Sequence, residues 1–87
     1  MTFSYILRLA DGSMYVGHTD NLQARLDAHQ AGRAAKYTAT RRPVQMIYAE
    51  EYATERAAIK REKQLKRWSR RKKEALIGGD RSLLKRS

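Results

Sequence analysis

The stretch that most limits what this chain can fold into is Phe3 to His18. Phe3-Ser4-Tyr5-Ile6-Leu7-Arg8-Leu9 and Met14-Tyr15-Val16-Gly17-His18 are rich in aromatic and branched side chains, and Ala10-Asp11-Gly12-Ser13 separates them. Asp-Gly between two such runs is the strongest short-range signal for a β-hairpin. Apolar residues fall on both parities, Phe3, Tyr5, Leu7, Leu9 and Tyr15 on one and Ile6, Met14 and Val16 on the other. Side chains alternate between faces along a strand, so such a hairpin is expected to be covered on both sides by helices.

Those helices follow in order. Asn21 to Ala31 reads as the first, with Asp20 and Gln23 spaced as an N-terminal capping box and Gly32 as its stop. At about 100° per residue, Leu22, Leu26, Arg25 and His29 share one side, so a cation and an imidazole lie beside a leucine stripe. An arginine covering apolar surface with its stem and a partly buried histidine would give the same pattern. Gly32 to Pro43 reads as a loop carrying Lys36, Tyr37, Arg41 and Arg42, a set suited to contacting phosphates and bases. Val44 to Tyr52 is the expected third strand, beginning after Pro43, which lacks the N–H a central ladder needs.

A helix from Thr54 to Trp68 comes next, capped by Thr54, with Ala58, Ile59 and Leu65 on its inward side. Glu62 lies in the middle of that stripe. An unpaired carboxylate in such a place is costly, so Glu62 should meet a cation, a metal ion or a reacting group; an ion pair with Arg25 or a similar residue is the structural alternative. Ser69 can cap a last helix, Arg70 to Ile77, that stops at Gly78-Gly79, and Asp80 to Ser87 is expected to fray as a basic tail beyond a single domain of residues 1–79.

Charge is distributed unevenly. Residues 1–55 hold six basic and six acidic side chains, so the whole net charge of +10 resides in residues 56–87. Lys66, Arg67, Arg70, Arg71, Lys72 and Lys73 form its densest part, and four of them crowd the first turn of the last helix, against the helix dipole. A segment this basic favours a polyanion, although a solvated helix face gives the same composition. The chain has no cysteine, hence no disulfide framework and no thiolate metal site. It has no apolar run near the ~20 residues that span a bilayer and no start resembling a signal peptide, so no membrane partner and a cytoplasmic location are expected.

Tyr5 followed at a distance by Tyr15-Val16-Gly17 resembles the paired motif of the GIY-YIG nuclease family, above all its small stand-alone bacterial branch and the first nuclease module of the excision-repair incision subunit. Phe3-Ser4 stand where the family has Gly-Ile, and His18 where the repair enzymes have lysine. Arg25, eight residues after Gly17, and His29 one helical turn later match the family's arginine and His/Tyr positions, and Glu62 matches its single metal-binding glutamate. The resemblance covers about residues 3 to 77. It implies a small α/β domain of order β-β-α-β-α-α with a three-stranded, mostly antiparallel sheet between helices. It further implies metal-dependent cleavage of DNA, of branched or damaged forms among others, with one Mg²⁺ or Mn²⁺ on Glu62.

In that scheme Arg25 faces the phosphoryl group, Tyr5 takes a proton from water, and Tyr15 and His29 assist, with Gly17 and His18 supporting the site. A phenol is a poor base at neutral pH unless a nearby charge lowers its pKa; His18, His29 and the metal are the candidates. The alternatives are a protein of the same fold that binds nucleic acid without cutting it, and a ribosome-associated RNA binder. A shared site also demands one hairpin register. A two-residue turn would put Tyr5 and Tyr15 on opposite faces. A three-residue loop, Ala10-Asp11-Gly12 with Gly12 left-handed, pairs Leu7 with Tyr15 and Tyr5 with Gly17 and puts both phenols on one face.

Overall fold

The hairpin forms with the three-residue loop. In the computed structural model, which describes residues 1–79, β1 (Thr2–Arg8) and β2 (Met14–Thr19) pair antiparallel with Leu7 opposite Tyr15 and Tyr5 opposite Gly17. Leu9 N donates to Ser13 O at 2.9 Å, and Gly12 closes the loop at φ +86°, a conformation that a side chain would strain. β3 (Gln45–Tyr52) adds antiparallel to the other side of β1, giving the order β2-β1-β3 with β1 central and β2 on an edge.

Both faces of the sheet are buried, as the double parity requires. On one, Tyr5, Leu7, Leu9 and Val44 are covered by Leu22 and Leu26 of α1 (Leu22–Gln30). On the other, Ile6 and Val16 pack against Leu65 of α3 (Glu55–Arg67) and Leu76 and Ile77 of α4 (Arg70–Gly78). Ile6, Leu7 and Leu65 are wholly removed from solvent; each contributes about 1.5–3 kcal/mol of transfer free energy. The β1–β3 register shifts between Ile6 and Leu7, where Tyr48 and Met46 are the respective partners. The extra residue, Ile47, lets two consecutive side chains, Ile47 and Tyr48, reach the second face.

Two contacts hold α3 in place. Ser4 Oγ donates to Ala58 O at 2.7 Å, and both residues are fully buried, so the helix approaches β1 over two small side chains. Glu50 on β3 accepts from Tyr48, Tyr52 and the Nε and Nη2 of Arg61. Thr54 and Ser69 cap α3 and α4 as expected, accepting from Ala57 N and Lys72 N, and Gly79 ends α4 at φ +77°.

Two local expectations need correction. The cap of α1 is Asn21, whose side chain accepts from Ala24 N, rather than Asp20. Thr19 Oγ1 accepts from Asn21 N and so occupies the turn that a capping box at Asp20 would need. Gly32 to Pro43 is not all loop, because Lys36–Ala39 forms one helical turn, α2. Arg41 and Asp11 anchor that turn to the hairpin tip: Arg41 Nε lies 3.0 Å from Asp11 Oδ2 and its guanidinium stacks on Tyr37. The tail expected to fray, Asp80 to Ser87, lies outside the described residues.

Candidate active site

Gly17 is the hinge of the site's construction. It is paired with Tyr5 on the adjacent strand, and a Cβ built there would lie 2.5 Å from the Tyr5 hydroxyl oxygen and 2.7 Å from its Cζ. The missing side chain is what lets the Tyr5 phenol lie across β2 toward the free edge of the sheet. Tyr15, two residues earlier, emerges on the same face. His18, of the opposite parity, points to the side covered by α3. A pocket of about 200 Å³ opens at this edge and is lined from both sides: Tyr5, Tyr15, Gly17, Arg25 and His29 from the α1 side, His18 and Glu62 from the α3 side, and Ala34 from the segment before α2.

Within it, two hydrogen-bonded groups face each other. His29, in the last turn of α1 and only 1% exposed, is bonded through Nε2 to Tyr5 Oη at 2.9 Å and through Nδ1 to Thr38 Oγ1 at 2.8 Å. Its ring meets both tyrosines edge-on, with centroids 5.9 Å from Tyr5 and 5.3 Å from Tyr15. Burial, then the neighbouring Arg25 charge, holds the His29 pKa below the ordinary histidine value, so the ring is neutral at pH 7. Burial and the adjacent Tyr15 push the Tyr5 phenol well above its usual range, Arg25 opposing and Glu62 adding to the shift. In the protein alone the desolvation that comes with packing Tyr5 into the core outweighs the Arg25 cation at the rim.

Glu62 is the second group. Its side chain is 14% exposed, with Oε1 2.5 Å from His18 Nδ1 and Oε2 2.8 Å from Lys66 Nζ. Burial raises its pKa, but the hydrogen bonds and charges of Lys66 and His18 outweigh that and hold the carboxyl below the usual range. The ion pair suggested for Glu62 is thus present, but its partners are Lys66 and His18 and not Arg25. Arg25 is exposed on the opposite rim, leaving its guanidinium available to an anion entering the pocket.

The nucleic-acid contact residues expected from sequence lie outside this pocket and divide by whether the protein already uses them. Arg42 donates to the carbonyls of Ala39 and Gln30, Arg41 is bound to Asp11, Lys66 to Glu62, Arg70 to Gly12 O, and Lys72 sits over the Trp68 ring. Tyr37 lies under the Arg41 guanidinium and donates to Ser13 Oγ. Lys36, Arg67 and Arg71 are exposed and Lys73 is half-buried, none of them in an ion pair among the described residues. Thr38 was not foreseen. It sits in a segment read as a charged loop, and a bond spanning nine residues to His29 leaves no periodic trace in sequence.

Comparisons with known proteins agree with this architecture. The family model described as the GIY-YIG catalytic domain matches residues 1–75. A UPF0213 protein of Bacillus pumilus is 48% identical over 75 residues, covering 86% of this chain and 76% of that one. A UPF0213 protein of Staphylococcus aureus strain Mu3 is 45% identical over 75 residues, 86% and 92% of the two chains. The solution NMR structure of a UPF0213 protein from Bacillus halodurans superposes with a TM-score of 0.58 at 37% identity, over 90% of this chain and 84% of that one. With the motif tyrosines, arginine and glutamate gathered at one sheet edge and the family model spanning nearly the whole fold, this chain belongs to the GIY-YIG nuclease family.

Proposed function

We propose that the protein is a metal-dependent endonuclease that hydrolyses phosphodiester bonds in DNA. What carries the reading is that one pocket holds a proton acceptor pair, a guanidinium with no ion pair among the described residues and a single carboxylate on three sides of a space wide enough for a phosphate. Arg25 would hold the phosphoryl oxygens in a two-pronged hydrogen bond as negative charge grows on them. Tyr5 is not a standing phenolate, so it works as a relay. Its oxygen takes a proton from the attacking water while its own proton passes to His29 Nε2, and the ring leaves the step as an imidazolium. Tyr15 closes the edge of the His29 ring.

Glu62 fits a hard cation such as Mg²⁺ or Mn²⁺ of the kind bound through one carboxylate plus waters and substrate oxygens, rather than one caged by protein ligands. Among the described residues no group of three or more His, Asp or Glu side chains converges to form such a cage. When bound, the ion supplies Lewis-acid polarisation of the phosphoryl group. Lys66 and His18, which now occupy the carboxylate oxygens, would give way to it. Their presence there is also the observation that favours the rival reading, a nucleic-acid-binding protein of the same fold that does not cut. DNA is favoured over RNA as partner on the family resemblance alone, and a role in repair or recombination of branched or damaged DNA extends it.

Glu62→Gln separates the two. It keeps size and removes the charge a hard cation needs. Wild type should nick branched or linear DNA with Mg²⁺ or Mn²⁺, and the variant should lose this by orders of magnitude while binding DNA at least as tightly and melting normally. Lys66 is half-exposed, so removing its pair costs little. No metal-dependent cleavage of any branched, nicked or linear DNA by wild type would leave the non-cutting binder as the function.

A further inference from the structure

A neutral imidazole has one N–H and one lone pair, and the Tyr5 hydroxyl can serve either, so the Tyr5–His29 contact by itself does not determine the direction of the proton. Thr38 does. Its hydroxyl has a single proton, and 3.1 Å away lies Ala35 O, a carbonyl that can only accept. With that proton donated to Ala35, Thr38 Oγ1 must accept at its 2.8 Å contact with His29, which puts the hydrogen on Nδ1 and the lone pair on Nε2, facing Tyr5. Thr38 is 0% exposed, so water does not compete for either bond.

We infer that Thr38 is a positioning residue for the reaction, holding His29 in the Nδ1–H tautomer that can receive the Tyr5 proton. The inference deepens the nuclease reading and rests on it for its catalytic part. A hydroxyl is well suited here. A carboxylate at the same position would favour a charged ring, whereas a threonine already donating to a carbonyl accepts one hydrogen bond and adds no charge. Burial and Arg25 disfavour the doubly protonated ring, which would otherwise be compatible with the same distances.

The position of Thr38 depends in turn on α2, a single turn that could not persist alone. Tyr37 Oη donates to Ser13 Oγ at 3.2 Å, Ala10 N to Arg41 O at 2.9 Å, and Arg41 is bound to Asp11. The hairpin loop that brings Tyr5 and Tyr15 onto one face therefore also seats the turn that orients the histidine between them.

Long-range ¹H–¹⁵N spectra of ring-labelled wild type at neutral pH read the tautomer directly. The Nδ1–H form is expected; an Nε2–H form in wild type overturns the assignment without any variant. Thr38→Val keeps the shape and removes the hydroxyl. It should lower the Nδ1–H population and slow single-turnover cleavage by about 10-fold to 100-fold, the size of the loss when the partner that orients a metal-bound imidazole is removed. DNA binding should not change, and Thr38→Ser should restore tautomer and rate together. A folded Thr38→Val with wild-type tautomer and wild-type cleavage refutes the role. Should the valine variant not fold, Thr38→Ala against Thr38→Ser makes the same comparison. Should wild type cut no DNA, the nuclease reading fails, and the ring spectra still decide whether Thr38 sets the histidine.

Discussion

A buried histidine with one lone pair offered to a phenol makes the catalytic form a neutral form, which gives the reaction a definite dependence on pH. The His29 pKa lies below the ordinary 6.5, burial contributing most and Arg25 next. Cleavage should therefore rise with pH through a limb centred below 6.5, and the limb should vanish in His29→Gln. Folding stability carries the same sign. As pH falls below about 6.5 the unfolded chain takes up a proton at His29 and the folded one does not. Stability is then lost at up to about 1.36 kcal/mol per pH unit until the folded pKa is reached. A limb centred above 6.5 would mean that the group titrating is not this buried ring. At this scale the sequence was partly legible. Tyr5, Tyr15, Arg25, His29 and Glu62 could be picked out by spacing and resemblance, and all five line one pocket. Their partners could not. That Glu62 meets His18 and Lys66 rather than Arg25, and that His29 rests on Thr38, depends on which side chains the tertiary fold brings within hydrogen-bonding distance.

Elements set those distances, and α3 is the decisive one. It carries Glu62 one turn beyond Ala58, the residue that seats the helix on β1 through the Ser4 hydroxyl. Ser4→Ala leaves volume almost unchanged and removes a buried hydrogen bond, a loss of about 1 kcal/mol in urea or thermal melts. Cleavage should fall more than that loss of stability suggests, because α3 is then held to the sheet by the Arg61–Glu50 and Glu62–His18 contacts and apolar packing, and the second of these must open for a cation to bind. Unchanged stability in Ser4→Ala would show that the bond does not seat the helix. Most elements could be read from the chain because local chemistry and periodicity agreed: Thr54 and Ser69 cap, Gly12 and Gly79 take positive φ, and the stripes on α3 and β1 face inward. The hairpin register was legible for a different reason. Only a three-residue loop puts both tyrosines on the face where Gly17 leaves room. α2 was invisible, since its four residues have no cap side chain and take their support from Asp11 and Ser13, more than twenty residues away in the chain.

Over the whole molecule, the uneven charge suggests how a small protein could bring its pocket to a phosphate backbone. Part of the basic segment is used internally: Arg61 and Lys66 pair with Glu50 and Glu62, while Arg70 reaches Gly12 O and Lys72 covers Trp68 with their charges intact. Counting cations in the sequence therefore overstates what a polyanion would find, because a charge already paired releases few counterions when DNA arrives. Beside the end of α3 and the start of α4, Arg67, Arg71 and Lys73 have no ion pair among the described residues, nor have Arg56, Lys60 and Lys63 further back on α3. Replacing Arg67, Arg71 and Lys73 by Gln should weaken DNA binding alike for every sequence and flatten the log–log dependence of affinity on salt by about one unit for each phosphate that is no longer neutralised. Single-turnover cleavage at saturating DNA should persist, since none of the three lines the pocket. The matched control is Arg41→Gln, whose guanidinium is already paired with Asp11. That change should alter the salt slope little while lowering thermal stability. If instead the control flattens the slope and the triple variant leaves it unchanged, the DNA runs along α2 and the hairpin tip, and the basic third of the chain is solvated surface.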